Sequence, residues 1–330
     1  MRICTRRITG PSAWVGADFQ PSDWVVTLEP AERDELLQAL RGLPADRPPA
    51  QVTAADFPLP RLAPKLAELV RELEFGRGFA VLRGVPIDLP PAEQYLLYWG
   101  IVAHMGTAVT QNARGELISH VTDYGKGDLS DNAVRIYETS AVVPFHTDSS
   151  DITGLLCLRD AREGGASVLA SSTTIHNRLL EEHRELLGVY YVGFVYDRRT
   201  EEESGEAPYY RNPVYGYFGD VLSCRYYIRH YIESAVRKSR IPLTDMERLA
   251  LDLFEEIAHT ERNQVSMELR PGDLQFVNNN VVVHSRTAFR DSPGHRRDLL
   301  RIWFNTPHAR KMPEGFARFR FGMPLIAENE

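Results

Sequence analysis

From about residue 115 the chain alternates apolar and polar positions with a period of two, in short runs broken by Gly, Asp, Asn and charged residues. The runs LISHVTDY, VRIYETS, VVPFHTD, ITGLLCL and ASVLASS predict a succession of strands. More strands are predicted over VYYVGFVYDRR, PVYGYFGDVLSCRYY, QVSMELRPGDLQFVNNNVVVHSRTAF and DLLRIWFNT. Upstream, GFAVLRGVPI reads as a buried strand. Helical spacing of apolar residues appears in LEPAERDELLQALRGL, in RLAPKLAELVRELEFGRG with its closing glycine, and in PAEQYLLYWGIVAHM, opened by Pro91. One further helix is predicted over TTIHNRLLEEHRELL, and two more patterns precede residue 263. The second of these, PLTDMERLALDLFEEIAH, places Thr244 and Glu247 in capping-box spacing. The residues 278–280 (NNN) predict a tight turn before the next strand.

Many short strands with helices set in at one side predict a mainly β fold with inserted helices, α+β in class, built on a jelly-roll, cupin-like core. The strand-helix-strand alternation of a parallel sheet is absent. We expect one domain over 1–330: an N-terminal extension (1–77) with helices packing on the barrel, a core (78–310) with a helical insertion at about 225–263, and a tail (311–330). With 43% hydrophobic and 25% charged residues among 330, the chain can bury a sizeable core. A net charge of −7 without a basic run argues against nucleic acid as a partner. The opening MRICTRRITGPSAW lacks an apolar stretch and does not read as a secretory signal, and no run approaches the ~20 apolar residues of a bilayer span. Cys4, Cys157 and Cys224 have neither disulfide-framework nor CxxC spacing, which predicts a reduced, cytoplasmic setting. Cys157 reads as a small buried hydrophobe.

Chemistry gathers in VPFHTDSSDI. His146 and Asp148 are two apart in strand text and therefore face the same way. One imidazole and one carboxylate make half of a transition-metal site, which needs a second histidine from a neighbouring strand. His284, at the end of the apolar run in NNNVVVHSRTAF, is the candidate. Alone, the pair is a weak signal and reads more readily as a histidine bonded to its own carboxylate in a polar pocket. Asp151 falls on the other parity and reads as a turn residue that orients His146 or a loop. In RRDLLRIWF, Arg297 and Arg301 share a face with Leu299 and Trp303, while Arg296 points outward. A buried guanidinium is costly without an anion, and its fork suits a carboxylate. Exposed arginines on an edge strand are the alternative.

Taken together, His146-x-Asp148, His284 and Arg297 resemble the iron(II)- and 2-oxoglutarate-dependent oxygenases of the taurine dioxygenase and clavaminate synthase-like branch. The resemblance runs from about Gly78 to Thr306 through FAVLRGVPI, VRIYETSAVVPFHTDSSD, LLCLRDAREGGASVLASS and PGDLQFVNNNVVVHSRTAF, followed by RRDLLRIWF. It implies a double-stranded β-helix with iron(II) held by His146, Asp148 and His284, leaving positions for 2-oxoglutarate and O2. Arg297 matches the family arginine for the distal carboxylate of 2-oxoglutarate. Ser167 matches a position that usually offers a Thr hydroxyl to the same group, and keeps the donor without the methyl. Arg301 matches a position that in some members binds an anionic substrate group, with a salt bridge to a barrel carboxylate as the alternative. The implied reaction is decarboxylation of 2-oxoglutarate to succinate and CO2, coupled to hydroxylation of a C–H bond. Asp148 stands where halogenating members have a small residue, so hydroxylation or a related oxidation is favoured.

Gln111, Asn112 and Tyr137 are candidate substrate contacts. Thr139 is a candidate cavity residue, with loop text and barrel packing as the plainer readings. His176 reads as a surface or helix-packing residue, and His104, His120, His230 and His259 have no partner spacing. The segment RRTEEESGEAPYYRNPVYGYFGD reads either as a solvated insertion or as a substrate lid carrying Tyr209, Tyr210 and Tyr215. The expected partner is a small polar metabolite, an amino acid derivative or natural-product intermediate. A homo-oligomer is compatible with this reading and not required by it. Competing readings are a non-catalytic ligand-binding jelly roll and a redox-neutral cupin-type metal enzyme, neither of which needs Arg297 and Ser167 to converge on one dicarboxylate.

Overall fold

The computed structural model describes residues 2–44, 46–125, 135–199, 201–202, 205–308 and 310–325. In chain order the early strands are β1 (Val25–Thr27), β2 (Phe79–Arg83), β3 (Thr107–Val109), β4 (Ile118–Val121), β5 (Val143–His146) and β6 (Ile152–Arg159). There follow β7 (Glu163–Gly164), β8 (Ser167–Ser171), β9 (Phe194–Asp197), β10 (Tyr209–Asn212), β11 (Tyr215–Phe218) and β12 (Val221–Cys224). The last are β13 (Gln264–Met267), β14 (Asp273–Asn278), β15 (Val282–Arg286), β16 (Phe289–Arg290) and β17 (Asp298–Asn305).

A seven-stranded sheet has the order β1-β2-β14-β6-β17-β3, with β4 also on β17, and a four-stranded sheet has the order β13-β8-β15-β5. Within them β1 and β2 pair in parallel. The other pairs are antiparallel. The period-two pattern assigns each strand two faces. On β17, Leu300, Ile302 and Phe304 point to one core, while Leu299 joins a different one. On β15, Val282 and Val283 likewise enter opposite cores. The inner faces meet in a shared core where Val81, Val277 and Leu299 of the large sheet pack with Leu169, Val265 and Val282 of the small one. This is the jelly-roll core that the strand pattern predicts and the double-stranded β-helix that the resemblance implies, with no continuous ladder closing the barrel among the described residues.

Helices cover both outer faces. α1 (Pro30–Arg41), α2 (Ala63–Phe75) and α3 (Pro91–Ala103) put Leu36, Leu66, Leu73 and Leu97 against Leu274, Phe276 and Leu300 of the large sheet. α4 (Ser172–Glu182), α5 (Leu187–Val192), α6 (Arg229–Ser239) and α7 (Asp245–His259) follow, and Leu179, Phe254 and Ala258 pack with Phe145, Val168 and Val283 of the small sheet. The predicted boundaries hold where capping chemistry marks them. Pro91 is the first residue of α3, and the Thr244 hydroxyl accepts from Glu247 N at the start of α7. Among the described residues no helix is long and apolar enough to cross a membrane.

Two predicted strands are not strands throughout. VRIYETS contains a 3-10 turn, Ile136–Glu138, closed by the Glu138 carboxylate, which accepts from Arg135 N at 3.1 Å, and its Val134 lies outside the described residues. The first half of VYYVGFVYDRR is α5, because Tyr190 and Tyr191 are drawn into the helix-lined core. Gly193, at φ 77, then turns the chain into β9. His176 is fully buried in α4 rather than at the surface, bonded to the Tyr191 hydroxyl at 3.1 Å, and burial pushes its imidazole down to about 4. Cys157 is buried as expected, and desolvation raises its thiol to about 12, so it is an inert filler.

Asp151 fixes a loop and does not touch His146. Its fully buried carboxylate takes a two-pronged bond from Arg320, 2.9 Å from Nε to Oδ1 and 2.7 Å from Nη2 to Oδ2. Arg225 and the Asn280 amide reach Oδ1 at 3.4 and 3.1 Å. Asp151 N in turn donates to Asn305 Oδ1 at 2.9 Å. One residue, through its carboxylate and its backbone N, thereby joins the entry to β6, the turn before β15, the end of β17 and the C-terminal segment. Asp151→Ala strands two buried guanidiniums and is expected to destabilise the fold by about 3–5 kcal/mol. Denaturant unfolding measures this, and a loss below about 1 kcal/mol would contradict the assignment.

Candidate active site

β5 and β15 are neighbours, and their register sets His284 directly opposite His146, with ring centroids 4.3 Å apart. Asp148 reaches them differently from the expected strand alternation. β5 ends at His146, Thr147 N donates to Tyr226 O at 2.7 Å, and the chain turns, so Asp148 enters from a loop. Its carboxylate lies 3.9 Å from His146 Nε2 and 3.6 Å from His284 Nε2. The ligating atoms of all three lie within 4.8 Å of one another.

The supports are specific. His146 Nδ1 donates to Pro144 O at 2.8 Å, which leaves Nε2 as the lone-pair nitrogen. The Thr153 hydroxyl donates to Asp148 Oδ2 at 2.6 Å, and Asn279 Oδ1 accepts from Asp148 N at 2.9 Å. The Asn279 amide also donates to Ser150 O and Thr153 Oγ1, both at 3.1 Å. Burial drives both imidazoles to the neutral form, His284 to about 3. Burial alone would raise the Asp148 carboxyl, but the Arg301 charge, helped by the Thr153 hydrogen bond, opposes it and the group lies below its usual range. Two neutral imidazoles and one anionic carboxylate on a single point form the donor set of a non-haem iron(II) site.

The triad opens into a cavity between the sheets that Arg297, Arg301, Ser167, Gln111, Asn112 and Tyr137 also line. Arg297 is 5% exposed, while Arg296 is exposed to solvent. A methyl group at Gly165 would approach Arg297 Nε to 3.0 Å, so the glycine makes room for the guanidinium. The Ser167 hydroxyl is within 3.0 Å of the buried Gln275 amide, which fixes its position. Arg301 has no carboxylate partner among the described residues. Its Nε donates to Gln111 Oε1 at 2.6 Å, and its Cζ lies 4.3 Å from the Tyr137 ring centroid and 4.9 Å from that of Trp303. Gln111 is otherwise committed: its amide nitrogen donates to Leu117 O and Arg301 O, both at 2.9 Å, and its oxygen accepts from Ser119. Asn112 closes a local turn, accepting from Arg114 N and Glu116 N.

Part of the segment 198–220, read either as a solvated insertion or as a lid, reaches the cavity. Tyr210 and Arg198 line it, with Arg198 stacked on the Tyr210 ring at 5.4 Å and paired with Glu206 at 2.9 Å. Tyr215 instead belongs to the core against α4 and α7, and Tyr209 is half-buried outside the cavity. Residues 200, 203 and 204 of that segment lie outside the described residues.

Residues 39–303 match the sequence model of the taurine catabolism dioxygenase TauD, TfdA family. The chain belongs to this family. FR-33289 synthase of Streptomyces rubellomurinus (strain ATCC 31215) is 41% identical over 99% of both chains. The taurine hydroxylase-like protein SAT17 of Stachybotrys chartarum (strain CBS 109288 / IBT 7711) is 31% identical over 94% of this chain and 83% of its own length. In fold, the chain is similar to asparagine oxygenase (TM-score 0.65, 19% identity, 91% of this chain and 99% of that one). It is also similar to the non-haem iron oxygenase OrfP (TM-score 0.62, 16% identity, 85% and 94%), solved with iron and α-ketoglutaric acid. As a TauD/TfdA family member the protein is a dioxygenase whose cofactors are iron(II) and 2-oxoglutarate.

Thr153, Asn279, Gln275 and Arg286 are the site residues missed in the sequence. Arg286 had a signal, since it stands two residues beyond His284 on one strand. Thr153 and Asn279 become visible only once β6 and the turn before β15 are adjacent. Thr153→Val removes the hydroxyl that orients Asp148 and keeps the shape. It is expected to weaken divalent-metal binding roughly 10- to 100-fold without unfolding the chain. Calorimetric titration with cobalt(II) checks this, and unchanged affinity would rule the orienting role out.

Proposed function

We propose that this TauD-family dioxygenase couples the decarboxylation of 2-oxoglutarate to hydroxylation, or a closely related oxidation, of a small anionic polar metabolite. Amino acid derivatives and natural-product intermediates are the substrate classes in view. The observation that carries the proposal is the cross-strand His146–His284 pair with Asp148 on the wall of a cavity that also holds Arg297, Ser167 and Arg301. The 41% identical relative is a synthase, which supports a small-molecule product. Asparagine oxygenase with 3-hydroxyasparagine and OrfP with 3-hydroxyarginine, both also with succinate, support hydroxylation as the outcome.

Bound together, iron(II), 2-oxoglutarate and O2 supply the oxidant for an unactivated C–H bond. The residues of this chain supply position and dryness. His146, Asp148 and His284 would hold the metal through two imidazole nitrogens and one carboxylate oxygen, leaving one side to the cavity. Asp148 would place a carboxylate on the metal where a halide would otherwise bind, which favours oxygen transfer. Arg297 would grip the distal carboxylate of 2-oxoglutarate, with Ser167 offering a hydroxyl beside it. Arg301, braced at Nε by Gln111 and covered by Tyr137 and Trp303, would take the substrate's anionic group on its remaining donors. Gln111 and Asn112 then shape the substrate side by holding Arg301 and its neighbouring loop.

The test is succinate formation from 2-oxoglutarate with iron(II), ascorbate and O2, across a panel of anionic amino acid derivatives, with the product followed by mass. No succinate with any substrate, and no 2-oxoglutarate binding, would end this reading. His146→Ala is expected to lose iron binding and turnover together. Arg297→Ala is expected to raise KM for 2-oxoglutarate roughly 10- to 100-fold, the loss of a charge-assisted hydrogen bond, with a smaller effect on kcat. An unchanged KM would reassign Arg297.

A further inference from the structure

Arg286 follows His284 by two positions on β15, so its side chain leaves the sheet on the same face. It is 7% exposed and lines the cavity. Directly across the ladder on β8 stands Ser167. The guanidinium carbon of Arg286 lies 4.7 Å from the centroid of the Phe289 ring, and that of Arg297 lies 5.2 Å from the same centroid. Two like charges thus share one ring in a corner largely closed to water, an arrangement that costs free energy unless an anion joins them.

No carboxylate of the described chain does so. Nε and Nη1 of Arg286 and Nη1 of Arg297 are buried without a hydrogen-bond partner among the described residues. The acids nearby are engaged elsewhere: Asp291 accepts from the backbone N of Arg297 at 3.0 Å, Asp298 pairs with His120 at 2.7 Å, and Asp123 accepts from Gly125 N at 2.8 Å. Nη2 of Arg286 donates to Thr139 O at 2.7 Å and to Ala141 O. Phe289 N reinforces that segment by donating to Ser140 O at 3.1 Å. The same segment carries Tyr137, whose ring covers Arg301.

We propose that Arg286 is a second anchor for the distal carboxylate of 2-oxoglutarate, sharing it with Arg297 and tying it to the backbone of residues 139–141. The assignment rests on the co-substrate reading given above and extends it in one direction. Filling the corner between the two guanidiniums fixes the 135–141 segment, and with it the ring of Tyr137 over Arg301. Occupation of the co-substrate end therefore shapes the substrate end. A 2-oxo acid that lacks the distal carboxylate binds the metal without this effect.

The experiment is calorimetry on the iron(II) holoenzyme without O2, with 2-oxoglutarate and with 2-oxopentanoate, which has the same chain length and no distal carboxylate. R286Q is expected to weaken 2-oxoglutarate roughly 10- to 100-fold, the loss of a charged hydrogen-bond donor, and to leave 2-oxopentanoate unchanged. Amide hydrogen exchange on the unaltered holoenzyme, which needs no variant, is expected to slow over residues 135–141 with 2-oxoglutarate and not with 2-oxopentanoate. Equal weakening of both acids by R286Q, or equal exchange with both, would overturn the proposal. If the unaltered holoenzyme bound the two acids equally, the co-substrate reading itself would fall. A retained preference for 2-oxoglutarate that R286Q does not reduce would remove only the Arg286 assignment.

Discussion

The register of β15 is the constraint on which everything else in this protein depends. His284 meets His146 across one ladder and Leu169 across the other, so β15 is pinned from both sides. A slip by one residue would exchange its faces and carry the imidazole into the helix-lined core that Val283 now fills. The turn before β15 adds a second lock. Asn280 is held by Asp151, and Asn279 holds the backbone N of Asp148. The residues that set the register therefore also set the loop bearing the third ligand. Fold and site share one set of interactions, in which the buried carboxylate of Asp151 holds Asn280 of the turn before β15 without touching His146.

The polar interior follows the same economy. Each strand of the large sheet sends apolar residues outward to α1, α2 and α3, and the inner positions are freed for Thr153, Gln275, Arg301 and Trp303. Every buried amide and hydroxyl in that layer then needs a partner. Thr153 finds Asp148, Gln275 finds Ser167, and Gln111 finds both the Nε and the carbonyl of Arg301. Such bonds hold side chains to one rotamer before any ligand arrives, the preorganisation that a positioned reaction requires.

How much of this the sequence disclosed divides along a physical line. Period-two and helical patterns, Pro91, and the Thr244–Glu247 box are local signals, and they located the strands and helix starts. The metal-ligand candidates were legible because ligating residue types are few and the stretches that carry them stand in an order that resembles a known family, although the His-x-Asp spacing alone was weak. Contacts that depend on which strands become neighbours were not legible. Thr153 is one apolar-run residue among several until β6 lies beside β14, and Gln275 acquires meaning only opposite Ser167. Nor could alternation foresee that β5 would end at His146, since the bond from Thr147 N to Tyr226 O joins residues 79 apart in sequence. Tyr190 and Tyr191 misled for the opposite reason: their strand preference yields to burial in the helix-lined core, where each fills space against α4 and α7.

Charge links the two ends of the cavity. Arg135 and Arg198 on its rim are answered by Glu201 and Glu206, whereas Arg286, Arg297 and Arg301 inside it have no such partner among the described residues. Arg286, Arg297, Arg301 and a divalent ion, set against the Asp148 carboxylate at the metal site, would leave a positive surplus where water cannot screen it well. On the proposed reading, a 2-oxo dicarboxylate would offset part of that surplus, at the metal and in the corner between Arg286 and Arg297. What is left centres on Arg301, whose field already holds Asp148 ionised. A neutral substrate would leave that charge uncompensated in the closed cavity, and a cationic one would add to it. On the proposed reading, an anionic group lodged against Arg301, beside the rings of Tyr137 and Trp303, would offset a further part of the surplus and set the rest of the substrate toward the metal.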